Sequence, residues 1–240
     1  VNRQAGNIRI GSFNVEFSRS TTPEDVARMF LPFGLDLIGF CEVPDGDWTR
    51  RVGQVLGMDH AFVGAISSAN HKDKYKSILS RWPLANTREI PLAVDGGWNP
   101  ASVVVADVDV DGIPLVLHSL HICSCGLADG HARLLAERIL APVADRCAIA
   151  VGDFNSHLGD EDMKVIAEAG FRSTWDDLPI DLAGLYTYNA FDPKINGGVI
   201  DHIVYAQGSG IRAVAGGIVE LQRPLSDHKP IWAEITLPGR

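Results

Sequence analysis

The chain has 240 residues, a formal net charge of −9, a pI near 5.3, 46% hydrophobic and 21% charged residues, and a mean hydropathy of +0.06. This composition suits a globular protein long enough to bury a sizeable core. It excludes a membrane-spanning helix, since no apolar run reaches the roughly 18 residues required, and it opposes a protein that grips polyphosphate through a global basic footprint.

The first ten residues, VNRQAGNIRI, hold no apolar signal-peptide core and no starting Met. The expectation is a soluble monomer, cytoplasmic or secreted after processing, organised as one domain over residues 1–240. Aliphatic runs rich in Val and Ile then predict strands at IRIGSFNV, DLIGFCEV, HAFVGAI, KSILSRWPL, ASVVVADVDV, IPLVLHSLHI, CAIAVGDF, GVIDHIVYA and KPIWAEITL. Asp111-Gly112 predicts a hairpin turn between the fifth and sixth of these. Helices are fewer. TPEDVARMFLPF starts with Thr22 as cap and Pro23 at the first helical position. GHARLLAERILAPVADR is amphipathic, with Pro142 placed to end or kink it. EDMKVIAEAGF closes on Gly170 as a C-cap. Two packed sheets with helices outside is one layered solution to so many aliphatic strands.

Several predicted strands finish in acids, amides or imidazoles: Asn14, Glu42, His118 with His121, Asp153 with Asn155, Asp201-His202 and Asp227-His228. One such residue is an ordinary turn former; six positions beside apolar strands suggest a shared cleft. Carboxylates with an amide are hard oxygen ligands suited to Mg²⁺ or Mn²⁺, with Ca²⁺ as a further candidate. A histidine beside an acid suits general acid/base work, and amide or imidazole donors suit a developing negative charge. Together they describe metal-assisted hydrolysis of a phosphate ester. No Gly-rich phosphate loop, Cys nucleophile motif or G-x-S-x-G elbow competes. His118 and His121 lie three apart, so a regular strand turns at most one to the cleft. Alternation likewise puts Asp153 and Asn155 on one side and Phe154 in the core. The four cysteines, Cys41, Cys123, Cys125 and Cys147, are too few for a disulfide scaffold. Cys123 and Cys125 are too close for an easy bridge in an extended strand, so thiols are expected.

Taken in order, SFNVEF, the E-V of LIGFCEV, GDFN, IDHI and SDHKPIWAEI resemble the endonuclease/exonuclease/phosphatase superfamily, the group of pancreatic deoxyribonuclease, across nearly the whole chain. The resemblance implies an α/β four-layer sandwich, α/β/β/α, with two mixed sheets face to face and the site at one end. It implies Glu42 as the main metal ligand, helped by Asn14 and Asp227. Asp153 would orient or deprotonate the attacking water, Asn155 would contact phosphate or metal, and His121 and His228 would donate to phosphate oxygens, with Asp201 orienting His121. His121 is favoured over His118 because the family histidine ends the strand about nine residues past the turn glycine. Tyr75 in HKDKYKSILSRWPL is either the counterpart of a phosphate-contacting tyrosine or a half-buried strand residue. Lys72, Lys74 and Lys76 around it form the best cationic patch.

Three positions depart from the family pattern. Cys41 stands where Gln is usual, His202 where an aromatic is common, and Asn99 in WNPAS where the deoxyribonuclease has a DNA-contacting arginine. Asn99 is kept as a candidate substrate contact. The leading expectation is therefore a metal-dependent phosphodiesterase or phosphatase acting on a small or lipid-like phosphoester, with nucleic acid not favoured by the net charge. The alternatives are a nuclease acting on DNA or RNA and, from another class, a catalytically silent binding module on the same fold.

Overall fold

The computed structural model describes residues 6–94, 99–123, 130–192, 194–195 and 197–239. Two six-stranded mixed sheets pack face to face with helices on both outer surfaces, the four-layer sandwich expected from the sequence. The first sheet contains β1 (Asn7–Asn14), β2 (Leu37–Val43), β3 (His60–Val63), β4 (Tyr75–Ser80), β11 (Arg212–Ile218) and β12 (Ile231–Thr236), in the order β11-β12-β1-β2-β4-β3. The second contains β5 (Leu84–Leu92), β6 (Ala101–Val110), β7 (Ile113–His121), β8 (Ala148–Asp153), β9 (Phe171–Ser173) and β10 (Asp201–Ala206), in the order β5-β6-β7-β8-β10-β9. Each sheet has one parallel pair at its centre, β1 with β2 and β7 with β8, and antiparallel neighbours elsewhere.

Period-two alternation sorts the side chains into layers. Ile8 and Ile10 of β1, Leu115 and Leu117 of β7, Ile149 and Val151 of β8 and Ile203 of β10 point between the sheets into one cluster. Their neighbours point outward. Phe13, Ile38 and Phe40 meet Val26 and Phe30 of α1 (Pro23–Phe30) and Trp48 and Val52 of α2 (Trp48–Leu56). Val116, Leu120, Ala148 and Ala150 meet α3 (His131–Leu135) and α4 (Glu161–Glu168).

Local signals account for the element ends. Thr22 accepts from Asp25 N while Asp25 accepts from the Thr22 backbone, a full capping box ahead of Pro23. Asp111 and Gly112 both take positive φ, 52° and 93°, in the hairpin that joins β6 to β7. The segment after α3 continues as a π-helical turn, Ala136–Leu140, and a short 3₁₀ turn containing Pro142. Four elements carry no strong sequence signal: β5, which has few apolar residues and is largely exposed, the three-residue β9, glycine-containing β11, and α2, which lacks a side-chain cap.

The sheets approach closely below the cleft. A Cβ built on Gly39 would lie 2.2 Å from Val151 Cγ2 and 2.9 Å from Ser119 Oγ, both in the opposite sheet. Cys41 sits two residues further along, fully buried, with Sγ 2.9 Å from Leu120 O. Cys41 and Cys147 are free, but Cys123 is disulfide-bonded, correcting the expectation of a thiol. Strand β7 ends at His121, two residues before Cys123. Cys125 lies outside the described residues.

Gly39→Ala should lower stability by about 1–3 kcal/mol through overpacking between the sheets, read as a lower urea midpoint at unchanged slope.

Candidate active site

The β-register assembles the site before any side chain is considered. His121 pairs with Asp153 across β7 and β8, and Asp153 pairs with Asp201 across β8 and β10. Cross-strand partners share a face, so these three side chains form one row at the sheet end. They continue the inward-facing series Leu117–Ser119 and Ile149–Val151. Asn14 continues the inward series of β1 from the facing sheet, and its Nδ2 donates to Asp153 Oδ2 at 3.0 Å. His118 faces outward, buried, and pairs through Nδ1 with Ile149 O at 2.9 Å.

Glu42 reaches the cleft by a different device. Simple alternation after Cys41 would send it outward toward the helices. Glu42 instead has φ 53°, and the β2–β4 register shifts between Phe40 and Val43. A bulge of this kind re-aims a side chain. Its Oε1 lies 2.8 Å from Lys74 Nζ and 3.6 Å from His121 Nδ1.

Asp153 is the hub. Its Oδ2 meets Asn14 Nδ2, His121 Nε2 at 3.3 Å and His228 Nε2 at 3.4 Å, and its Oδ1 accepts from Asn155 N at 2.9 Å. Burial, reinforced by the Asp201 charge and opposed by His228, raises its pKa to about 7. Burial alone would lower the His228 pKa, but the charges of Asp201 and Asp153 and the Asp201 hydrogen bond outweigh it, raising the value to about 10. His228 is therefore an imidazolium at neutral pH, with Nδ1 held 2.9 Å from Asp201 Oδ2. His121 is pushed well below the usual histidine value, first by burial and then by the His228 and Lys74 charges, and is neutral.

The loop around Asp227 closes the cleft. Ser226 Oγ donates to Asn14 O at 2.7 Å, and Asp227 N donates to Glu16 Oε2 at 3.2 Å. Asn155 adopts φ 49°, so it reaches the site through a left-handed turn and not by strand alternation. Its Nδ2 lies 2.9 Å from Ile122 O and 3.3 Å from His121 Nε2. Phe154 is fully buried, edge-on to His202 at 5.5 Å.

Three expectations meet a different geometry, and of the two readings left open for Tyr75 the strand residue is the one seen. Asp201 orients His228 and not His121: the hydrogen-bonded neighbour of β8 on this side is β10, and the Asp227 loop lays the His228 ring over it. Tyr75 starts β4 and packs against the apolar cluster under α1 and α2, whereas Lys74 beside it enters the site. Lys76 is fully buried, bonded to Ile66 O at 2.6 Å and Ser68 Oγ at 3.2 Å, and so leaves the expected cationic surface. Asn99 closes its own loop, with Nδ2 donating to Val94 O at 2.7 Å, and Oδ1 lies 3.5 Å from His131 Nε2. Two site residues escaped the sequence reading. Glu16 is buried, its pKa raised by burial and then by Asp227. Its signal lay in the SFNVEF run already singled out. Tyr188, half-exposed, sets its ring 5.0 Å from that of His228; a loop tyrosine carries no comparable signal.

Two donor sets could take a metal. Donor atoms of Asp153, Asp201 and His228 lie within 4.8 Å of one another. His228, however, is protonated and already commits Nδ1 to Asp201, which suits a proton relay better than a ligand. The second set is Asn14, Glu42 and Asp227 with Glu16 beside them. These are hard oxygens, and the Asp227 and Glu42 charges, which add to the effect of burial in raising Glu16, are of the sign a bound cation would relieve. By donor chemistry alone this set suits a divalent ion.

A model described as the Endonuclease/Exonuclease/phosphatase family matches residues 11–228. No curated protein matches the sequence. Among solved structures, the chain resembles an endonuclease/exonuclease/phosphatase from Beutenbergia cavernae DSM 12333, with TM-score 0.78 and 18% identity over 97% of this chain and 72% of that one. It also resembles a mannosyl-6-phosphatase of Bacteroides thetaiotaomicron VPI-5482, with TM-score 0.74 and 17% identity over 95% and 99%. The human Nocturnin catalytic domain with bound sulfate anion gives TM-score 0.75 and 15% identity over 99% and 96%.

In metal-stripped protein, the His228 ring should remain protonated at pH 8 by NMR titration, and in Asp201→Asn its midpoint should fall by more than about one pH unit. The wild-type pair contributes its full stability below pH 6.5, the unfolded histidine value, and loses it as pH rises through about 10.

Proposed function

The chain belongs to the endonuclease/exonuclease/phosphatase family of phosphoester hydrolases, and from that premise we propose that it is a divalent-metal-dependent hydrolase using water in line against phosphorus. The observation that carries this reading is the buried Asp153 carboxylate held between two imidazoles and the Asn14 amide. A carboxyl raised to about 7 is matched to taking a proton from water near neutral pH.

A divalent ion on Asn14, Glu42 and Asp227 would polarise the phosphoryl group. The remaining work falls to the chain's own side chains. Asp153 accepts the water proton, and Asn14 Nδ2 fixes the orientation of that carboxylate. His228, kept cationic by Asp201, presents Nε2 to phosphoryl oxygens as negative charge develops. Asn155 is positioned beside His121 to donate at the same place. Asp201 meets neither water nor phosphate; it sets the charge and direction of the His228 ring.

The substrate we favour is a small or lipid-like phosphoester. A polyanion needs a groove of cations tracking several phosphates. Of the three lysines expected to supply it, Lys76 is buried and Lys74 lies inside the cleft against Glu42, where it can meet one phosphate and not a series of them. Asn99, in place of a cation, is tied into its own loop. A net charge of −9 adds to the repulsion. A mannosyl-6-phosphatase of the same fold supports a sugar-phosphate-sized ligand as one candidate.

Hydrolysis of bis-p-nitrophenyl phosphate should require Mg²⁺ or Mn²⁺ and fall by at least about 100-fold in Asp153→Ala and His228→Ala; activity surviving both substitutions rejects the mechanism. Calorimetric titration of Mg²⁺ into Glu42→Gln should show much weaker binding than wild type. Plasmid nicking should be slower than small-ester turnover, and robust, salt-sensitive degradation at nanomolar enzyme would favour the nuclease reading.

A further inference from the structure

The feature that the proposed mechanism leaves unused is Lys74. Its ammonium lies 2.8 Å from Glu42 Oε1, and the two side chains are only 22% and 8% exposed. Glu42 is the carboxylate assigned above as the main metal ligand. The same oxygen cannot serve a tight ammonium pair and a divalent ion at full strength, since both neutralise the same charge. We propose that Lys74 is an exchangeable counter-ion: it neutralises Glu42 while the metal is absent, and when metal binds it turns to the substrate phosphate. The proposal rests on the metal-site reading above and goes beyond it by giving Lys74 opposite effects on metal and on substrate.

The surroundings favour a side-chain movement with a fixed backbone. Lys74 N donates to Ser67 Oγ at 2.9 Å, and its carbonyl accepts from Ser68 N at 2.9 Å. The loop behind these contacts is anchored to the opposite sheet. Lys76 Nζ donates to Ile66 O and Ser68 Oγ, and Glu89 of β5 accepts from Ala65 N at 2.5 Å, Ile66 N at 3.0 Å and Ser102 Oγ at 2.6 Å. Buried Lys76 is thus structural, while Lys74, two residues earlier and just before β4, is the charge that reaches Glu42. The Lys74 ammonium also lies 5.6 Å from the centroid of Phe17, whose ring packs on His71 at 4.9 Å. That aromatic face keeps the cation at the cleft when Glu42 is taken. An ammonium released beside the metal oxygens is placed to meet a non-bridging phosphate oxygen as a point charge.

The test is calorimetric titration of Mg²⁺ into metal-stripped full-length wild type, Lys74→Met, Lys74→Arg and Glu42→Gln, with KM for bis-p-nitrophenyl phosphate measured at saturating Mg²⁺. Lys74→Met should bind Mg²⁺ about tenfold more tightly, equivalent to about 1.4 kcal/mol, and its KM should rise. Lys74→Arg, which keeps the charge, should stay near wild type in Mg²⁺ affinity. Equal or weaker Mg²⁺ binding in Lys74→Met overturns the exchange, because a purely structural lysine would not tighten metal when removed. Tighter Mg²⁺ with unchanged KM overturns the substrate half. Wild type and Glu42→Gln binding Mg²⁺ equally would reject the metal site itself, and this proposal with it.

Discussion

The site depends on one buried carboxylate. Asp153 is almost wholly removed from water at the point where β1 of one sheet faces β8 of the other. An unpaired charge there would be prohibitive, so the surrounding groups are those that make it tolerable: an amide from β1, imidazoles from β7 and the Asp227 loop, and a backbone N–H from Asn155. Every partner comes from a different segment. The carboxylate therefore ties both sheets and the closing loop to one geometry, and its own protonation reports on all of them. Because its folded pKa lies above the unfolded 3.8, ionised Asp153 costs stability, a cost that grows as pH rises from 3.8 through about 7.

A second cost is conformational. Glu16, Phe17 and Ser18 adopt positive φ in succession, as do Glu42 and Asn155. Such backbone in non-glycine residues costs of order 1–3 kcal/mol each, and these five, half of the non-glycine positive-φ positions among the described residues, belong to segments that border the cleft. The geometry explains its use. The left-handed residue at Glu42 turns that side chain away from the direction strand alternation dictates and toward His121, and the one at Asn155 sets its amide beside His121. The rigid sandwich beneath, with close contact at Gly39, holds the strained ends in place.

Charge ties the two halves of the site together. On one side His228 stays cationic because Asp201 and Asp153 flank it. On the other, Glu16, Glu42 and Asp227 gather negative charge that Lys74 and Arg19 only partly offset. An excess of hard oxygen on one side and a fixed imidazolium on the other is the polarity that hydrolysis of a phosphoester requires, with cation, phosphate and donor in sequence.

Much of this was legible in residue order. The alternating aliphatic runs, the Thr22 capping box and the Asp111-Gly112 turn specify elements through local chemistry, which needs no knowledge of distant partners. The polar strand ends at Asn14, Glu42, His121, Asp153, Asp201 and His228 were visible because a charged group beside an apolar run is locally anomalous. Pairings between distant segments were not. Asp201 belongs to His228 because β10 lies beside β8 and the Asp227 loop folds over both; Lys74 enters the site through Glu42 while Lys76 is taken up by Ile66 O and Ser68 Oγ. Sequence by itself determined which polar groups stand out beside apolar strands, since that follows from residue type and local pattern. Tertiary structure alone decided which of them touch, since contact depends on strand order, on the bulge at Glu42 and on how closely two sheets can pack.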